Sequence, residues 1–156
     1  MDKRLSTSAG VQENVAVTVV VPAYNAERFI ERTLRTIIAQ QGVDFEVIVV
    51  NDGSTDGTED VARSVLDLPQ NSAAFSRIIR TENSGVSSAR NMGLISARGE
   101  YVIFFDSDDL MSEDCLSSVY MKARDMHADV LAFGFDVVDW SGQIISRFED
   151  RYQYLS

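Results

Sequence analysis

The chain has 156 residues, 45 % of them apolar, with two prolines and nine glycines. That is the length of one domain with a real core, and the composition argues against a disordered chain. A formal net charge of −10 disfavours nucleic acid and anionic lipid as generic partners, though not an anionic ligand held by local amides and a few basic side chains.

Residues 1–14 are polar and rich in small residues, without the apolar run of a signal peptide, and read as a flexible leader ahead of one domain over 15–156. No apolar run is long enough to span a bilayer. Val15 to Val21 is a buried strand that Pro22 should end. Asn25 reads as the N-cap of an amphipathic helix from about Glu27 to Gln41, with Ile30, Leu34, Ile37 and Ile38 at helical spacing. Phe45 to Val50 is a second buried strand, followed by the turn residues Asn51 to Thr58 and a helix to Leu66. Phe75 to Arg80 is a less apolar strand, nearer a sheet edge. Glu82 to Gly85 leads into a helix over Val86 to Ala97 whose inner face carries Val86, Ala89, Gly93 and Ala97.

Tyr101 to Phe105 is an apolar, β-branched and aromatic run that reads as a strand buried on both faces. Ser112 is placed to cap a helix carrying Leu116, Val119, Tyr120 and Ala123, and the single cysteine, Cys115, reads as a small core residue within it. A lone cysteine closes no internal disulfide, which suits a reducing compartment. Asp129 to Val138 reads as one further strand, and Ile144 to Phe148 pairs back across the Ser141-Gly142 turn. His127 reads as a surface residue at a helix end, and Trp140 as local packing.

Strand and helix alternate four times, which implies a mostly parallel sheet with helices on both faces. Ligands of such sheets bind beyond the carboxyl ends of the strands. Tyr24 and Asn25, then Asp52, then Asn83 to Gly85, then Asp106 to Asp109 would all fall on that one rim. Two carboxylates about 4 Å apart repel by roughly 4 kcal/mol at an effective dielectric near 20. Asp106, Asp108 and Asp109 therefore suit either a hard divalent cation, Mg²⁺ or Mn²⁺, or a plain acidic turn splayed into water, with Asp109 as a turn cap. The stretch Pro22-Ala23-Tyr24-Asn25 after the first strand is not Gly-x-Gly-x-x-Gly, and no Walker-type loop occurs. A nucleoside diphosphate fits what remains. Tyr24 would stack on a base or serve as a rim residue, and Asp52 would accept from a ring N–H. The metal would hold the phosphates.

Four motifs in order resemble the family 2 glycosyltransferases: Pro22 to Asn25, Val50 to Thr58, Asn83 to Gly93 and Phe105 to Asp109. The resemblance covers about Val15 to Met126. It implies a GT-A (Rossmann-like) fold, a three-layer α/β/α arrangement. It implies a nucleotide-sugar donor, a UDP-sugar, bound by Pro22, Ala23, Tyr24, Glu27, Asp52, Arg90, Asp106 and Ser107. Asp106 and Asp108 form the Asp-x-Asp metal pair for Mn²⁺ or Mg²⁺. Arg90 alternatively makes a plain ion pair. The implied reaction is inverting transfer to a saccharide or lipid-linked acceptor in bacterial polysaccharide or glycolipid synthesis, in the cytoplasm or at the inner membrane face. Peripheral membrane association would run through missing or partner segments. The family's base lies beyond the part matched here. Asp136, Asp139, Glu149 and Asp150 do not sit in its context, so the catalytic base is not identified. The chain is expected to be truncated at its C-terminal end, holding the donor half. The alternatives are a non-catalytic nucleotide-binding fragment or a sugar nucleotidyltransferase, the latter wanting a glycine-rich basic loop after the first strand that Pro22 to Arg28 lacks.

Overall fold

A computed structural model of the chain describes residues 15–139, 141–148 and 153–155. The leader over residues 1–14, Trp140, Glu149 and Asp150 lie outside the described residues. Four parallel strands, β1 (Val17–Ala23), β2 (Phe45–Asp52), β3 (Phe75–Thr81) and β4 (Tyr101–Phe104), pair in the order β3-β2-β1-β4. The helices α1 (Ile30–Ile38), α2 (Thr58–Leu66) and α3 (Val86–Ser96) connect them, and α4 (Cys115–Asp125) follows β4.

Side chains alternate across a strand, so β1 divides the core in two. Val17, Val19 and Val21 pack with Ile30, Leu34 and Ile37 of α1, Ala62 and Val65 of α2 and Leu116 of α4. Val20, with Ile48 and Val50 of β2, packs with Ala89 of α3. Helices therefore cover both faces, as the alternation implied. Each fully buried aliphatic side chain contributes roughly 1.5–3 kcal/mol. On the α3 face, a Cβ on Gly93 would stand 2.2 Å from Val20 Cγ1, so only glycine lets α3 lie this close to the sheet.

Several expectations are corrected. Pro22 does not end β1; it pairs in register with Val50, and the strand runs on to Ala23. Along a parallel strand the backbone polar groups alternate from side to side. Val20 O accepts from Phe105 N on the β4 side, and Pro22, two residues on, faces that same side beyond the end of β4. Its missing N–H costs no ladder bond there. The first helix begins at Ile30, after a turn in which Phe29 N and Ile30 N donate to Ala26 O. Asn25 is therefore no N-cap, and it takes φ 49°.

Among the described residues β4 pairs only with β1, so it is an edge and not a doubly buried strand; Phe104 is 42 % exposed. Val86 is exposed, not inward. Ser112 precedes α4 by three residues, and Cys115 is only half-buried, with burial pushing its thiol up. The stretch Asp129 to Val138 is two strands, β5 (Val130–Ala132) and β6 (Phe135–Val138), because they take different partners. The strand β7 (Ile144–Phe148) pairs antiparallel with β6 as the expected hairpin, and β8 (Gln153–Leu155) pairs with β5. His127 is exposed just past α4.

Candidate nucleotide-sugar site

The four strand-end turns converge on one cleft of about 560 Å³, within the range of small-molecule sites. Pro22, Ala23, Tyr24 and Asn25 line it after β1, Asp52 at the end of β2, and Asn83 and Gly85 after β3. Asp106, Ser107 and Asp108 line it after β4, and Val86, Ala89 and Arg90 of α3 complete the wall together with Ala26 and Phe29.

Asp52 is buried, at 3 % exposure. Its Oδ1 accepts from Thr81 Oγ1 at 3.2 Å and Ser84 N at 2.9 Å, and its Oδ2 accepts from Gly85 N at 2.8 Å. The carboxylate thus ties down the loop that starts α3. A carboxylate offers about four acceptor positions, so one remains on Oδ2. Beside it, Gly53 has φ +70°, and a Cβ there would stand 2.7 Å from Asn83 N. The β2–α2 and β3–α3 loops touch backbone to backbone.

Across the cleft, the β1–α1 and β2–α2 loops are cross-linked by reciprocal hydrogen bonds. Asn25 Oδ1 accepts from Thr55 N at 2.9 Å, and Asn25 N donates to Ser54 Oγ at 3.1 Å. Thr58 Oγ1 accepts from Ala26 N at 2.8 Å. Asp56 accepts from Glu27 N at 3.2 Å and Thr58 N at 3.0 Å. Burial pushes the Asp56 carboxyl up, but the Thr58 hydroxyl and the Thr58 and Glu27 amides outweigh it and hold it below its ordinary value. Glu27, named from the sequence with the nucleotide residues, stands apart from the cleft lining; its Oε2 accepts from Gly57 N at 3.1 Å. Tyr24 is half exposed on the rim.

The acidic turn has a cationic neighbour. Arg90 Nη2 donates to Asp106 Oδ1 at 2.7 Å, and Arg90 Nε is buried without a hydrogen-bond partner. Asp109 has its carboxyl pushed up, first by burial and then by the charges of Asp108 and Asp106. Three carboxylates therefore crowd one region. Among the described residues no cluster of three or more His, Cys, Asp or Glu side chains is arranged to enclose a metal. Asp106 and Asp108, which share the cleft wall, suit a hard cation that draws its other ligands from water and phosphate oxygens, as Mg²⁺ commonly does.

Sequence reading missed how this turn is held. Thr33 Oγ1 donates to Ser107 O at 2.9 Å, and Thr36 Oγ1 accepts from Met111 N at 3.0 Å. Gln40 Nε2 donates to Ser112 O at 2.7 Å, and its Oε1 accepts from Leu116 N at 3.1 Å. The available signal was the polar residues at positions 33 and 36, beside the apolar face of α1, and at position 40 just past its end. Of the carboxylates weighed as a base, Asp136 is bound by Arg147 at 3.0 Å, and Asp139 caps the turn through Ser141 N at 2.8 Å. Among the described residues no helix is long and apolar enough to cross a membrane.

Known proteins share the sequence and the fold of this chain. The succinoglycan biosynthesis protein ExoO of Rhizobium meliloti (strain 1021) is 34 % identical over 134 residues, covering 86 % of this chain and 37 % of ExoO. The crystal structure of S. aureus TarS 1-349 in complex with UDP-GlcNAc shares the fold at a TM-score of 0.66 and 30 % identity, over 74 % of this chain and 33 % of that one. The mannosyltransferase PcManGT from Pyrobaculum calidifontis, in complex with GDP-Man and Mn²⁺, matches at a TM-score of 0.63 and 30 % identity, over 82 % of this chain and 36 % of that one. Across eight curated relatives the matched stretch spans 16 % to 51 % of their length. With the family model described as glycosyl transferase family 2 matching residues 18–154, the chain belongs to the family 2 glycosyltransferases.

Proposed function

We propose that this chain is the donor-binding part of an inverting, metal-dependent glycosyltransferase. It takes a UDP-sugar and passes the sugar to a saccharide or lipid-linked acceptor in bacterial polysaccharide or glycolipid synthesis. One observation carries the reading. A single cleft is lined both by an acceptor carboxylate, Asp52, and by Arg90 with Asp106 and Asp108. That pattern calls for a ligand with a hydrogen-bond donor at one end and a polyanion at the other. The spare acceptor position on Asp52 suits the single ring N–H of uracil, whereas guanine offers two donors side by side. Tyr24 lies on the rim, where its ring can cover a base. The TarS complex with UDP-GlcNAc and the PcManGT complex with Mn²⁺ support donor and metal.

In this mechanism the acceptor hydroxyl gives up its proton to a carboxylate base, which is not among the residues assigned here, and attacks the anomeric carbon as the nucleoside diphosphate leaves from the opposite side. Asp108 and Asp106 would hold a divalent cation, Mn²⁺ or Mg²⁺, which when bound would supply Lewis-acid stabilisation of the charge on the leaving diphosphate. Arg90 is placed to share its guanidinium between Asp106 and a phosphate, for which its planar fork is suited. A second reading, nucleotide binding without turnover, is favoured by the engagement of Asp136 and Asp139 within their own hairpin. Titrating UDP calorimetrically with and without Mn²⁺ tests the binding claim; no metal-dependent heat at millimolar nucleotide rejects it. Release of UDP from a UDP-sugar separates turnover from binding alone, and pyrophosphate release from a nucleoside triphosphate with sugar phosphate would indicate a nucleotidyltransferase.

A further inference from the structure

We infer that Thr33 of α1 is a positioning residue for the Asp106-Ser107-Asp108 turn, an inference that rests on the nucleotide-sugar reading of the cleft. The turn leaves the sheet where Phe105 N donates to Val20 O at 2.9 Å. From there to α4 the chain is irregular, with turn bonds from Asp109 N to Asp106 O and from Cys115 N to Ser112 O, each at 3.2 Å. Its outer part, from Met111 onward, hangs on Thr36 and Gln40. Of Thr33 and Thr36 in α1 and Gln40 just past it, Thr33 alone is the rung beside the carboxylates. Its hydroxyl is fully buried and donates to the carbonyl of Ser107. Ser107 stands between Asp106 and Asp108, and its carbonyl lies in the Ser107–Asp108 peptide, so fixing it fixes the plane that leads into Asp108 and restrains Asp106 one residue back. Valine has the same shape and would fill the same space in the core. The hydroxyl is therefore explained by what it holds and not by packing. A misplacement of about 1 Å in such a group can cost around 10²-fold in function.

The test uses the whole chain with the Thr33→Val and Thr33→Ser variants. Each is titrated with UDP plus Mn²⁺ and with uridine, which carries no phosphate. Thr33→Val is expected to weaken Mn²⁺-dependent UDP binding about tenfold or more while uridine binding stays as in the wild type. Thr33→Ser keeps the donor and is expected to restore UDP binding to near the wild-type value. Should Thr33→Val not fold, Thr33→Ala, which also lacks the donor, is expected to show the same selective loss. Three results overturn the inference: UDP binding by the donor-less variant as tight as the wild type, a serine variant as weak as the valine one, or equal losses for UDP and uridine. Absence of any Mn²⁺-dependent UDP binding in the wild type removes the parent reading, and this one with it.

Discussion

Gly93→Ala sets two effects of opposite sign against each other at the point where α3 lies on the sheet. Alanine is favoured over glycine within a helix by about 1 kcal/mol. Against that, the new Cβ would stand 2.2 Å from Val20 Cγ1 and 2.9 Å from Cγ2, and Val20 is fully buried. Reaching the 3.4 Å of an ordinary contact lifts α3 by roughly 1.2 Å. Overpacking of this kind costs about 1–3 kcal/mol, and so deep an overlap belongs at the upper end. The net loss is then about 2 kcal/mol, or a fall in Tm of roughly 4–8 °C for a chain of this length. The lift also draws Arg90, one turn earlier, from its 2.7 Å bond to Asp106, so nucleotide affinity should fall with stability. Urea unfolding of Gly93→Ala, Val20→Ala and the double variant measures this. Removing the Val20 methyls makes room for the Cβ, so the double variant should be more stable than the summed losses by about 0.5–3 kcal/mol. A single variant as stable as the wild type, or strictly additive losses, would refute the reasoning.

Asn25→Gly keeps the left-handed backbone but loses the bond to Thr55 N, and should cost about 1 kcal/mol of unfolding free energy. Asn25→Ala adds the left-handed strain of about 1–2 kcal/mol, so the alanine variant should be the weaker of the two in a denaturant series. Both Asp56 and Glu59 are held below their ordinary carboxyl values of 3.8 and 4.5, Asp56 against its burial by Thr58 and Glu59 chiefly by Arg80. At these two groups the folded chain thus binds fewer protons than the unfolded one. The stability they add is complete above about pH 4.5 and is lost as pH falls through and below 3.8. Asp56→Asn should flatten that acid limb in a melting-temperature profile, and an unchanged limb would contradict it.

The parallel sheet was legible because Val17 to Val21 and Phe45 to Val50 are apolar runs broken only by Thr18 and Glu46, the mark of strands covered on both faces. The cleft followed from alternation alone, since every polar turn after a strand had to fall on one rim. Other features depend on partners remote in sequence. Asn25 resembled a helix cap because its real partner, Thr55, lies 30 residues on. Thr33 and Gln40 meet their partners 74 and 72 residues away, so the local polar spacing marks these residues but not what they hold. The composition of β4 suits a central strand, but its exposure is set by which strands flank it. Pro22 sits within β1 because β4 stops short beside it, which the sequence of β1 does not encode.

The central claim is that Asp108 holds a metal against a donor diphosphate in this cleft. Calorimetric titration of UDP into the wild type and Asp108→Ala, each with and without Mn²⁺, addresses it most directly, with Asp109→Asn as a neighbouring control. The account predicts that Mn²⁺ strengthens UDP binding in the wild type and in Asp109→Asn, and does nothing in Asp108→Ala. Equal Mn²⁺-dependent affinity in wild type and Asp108→Ala would contradict it.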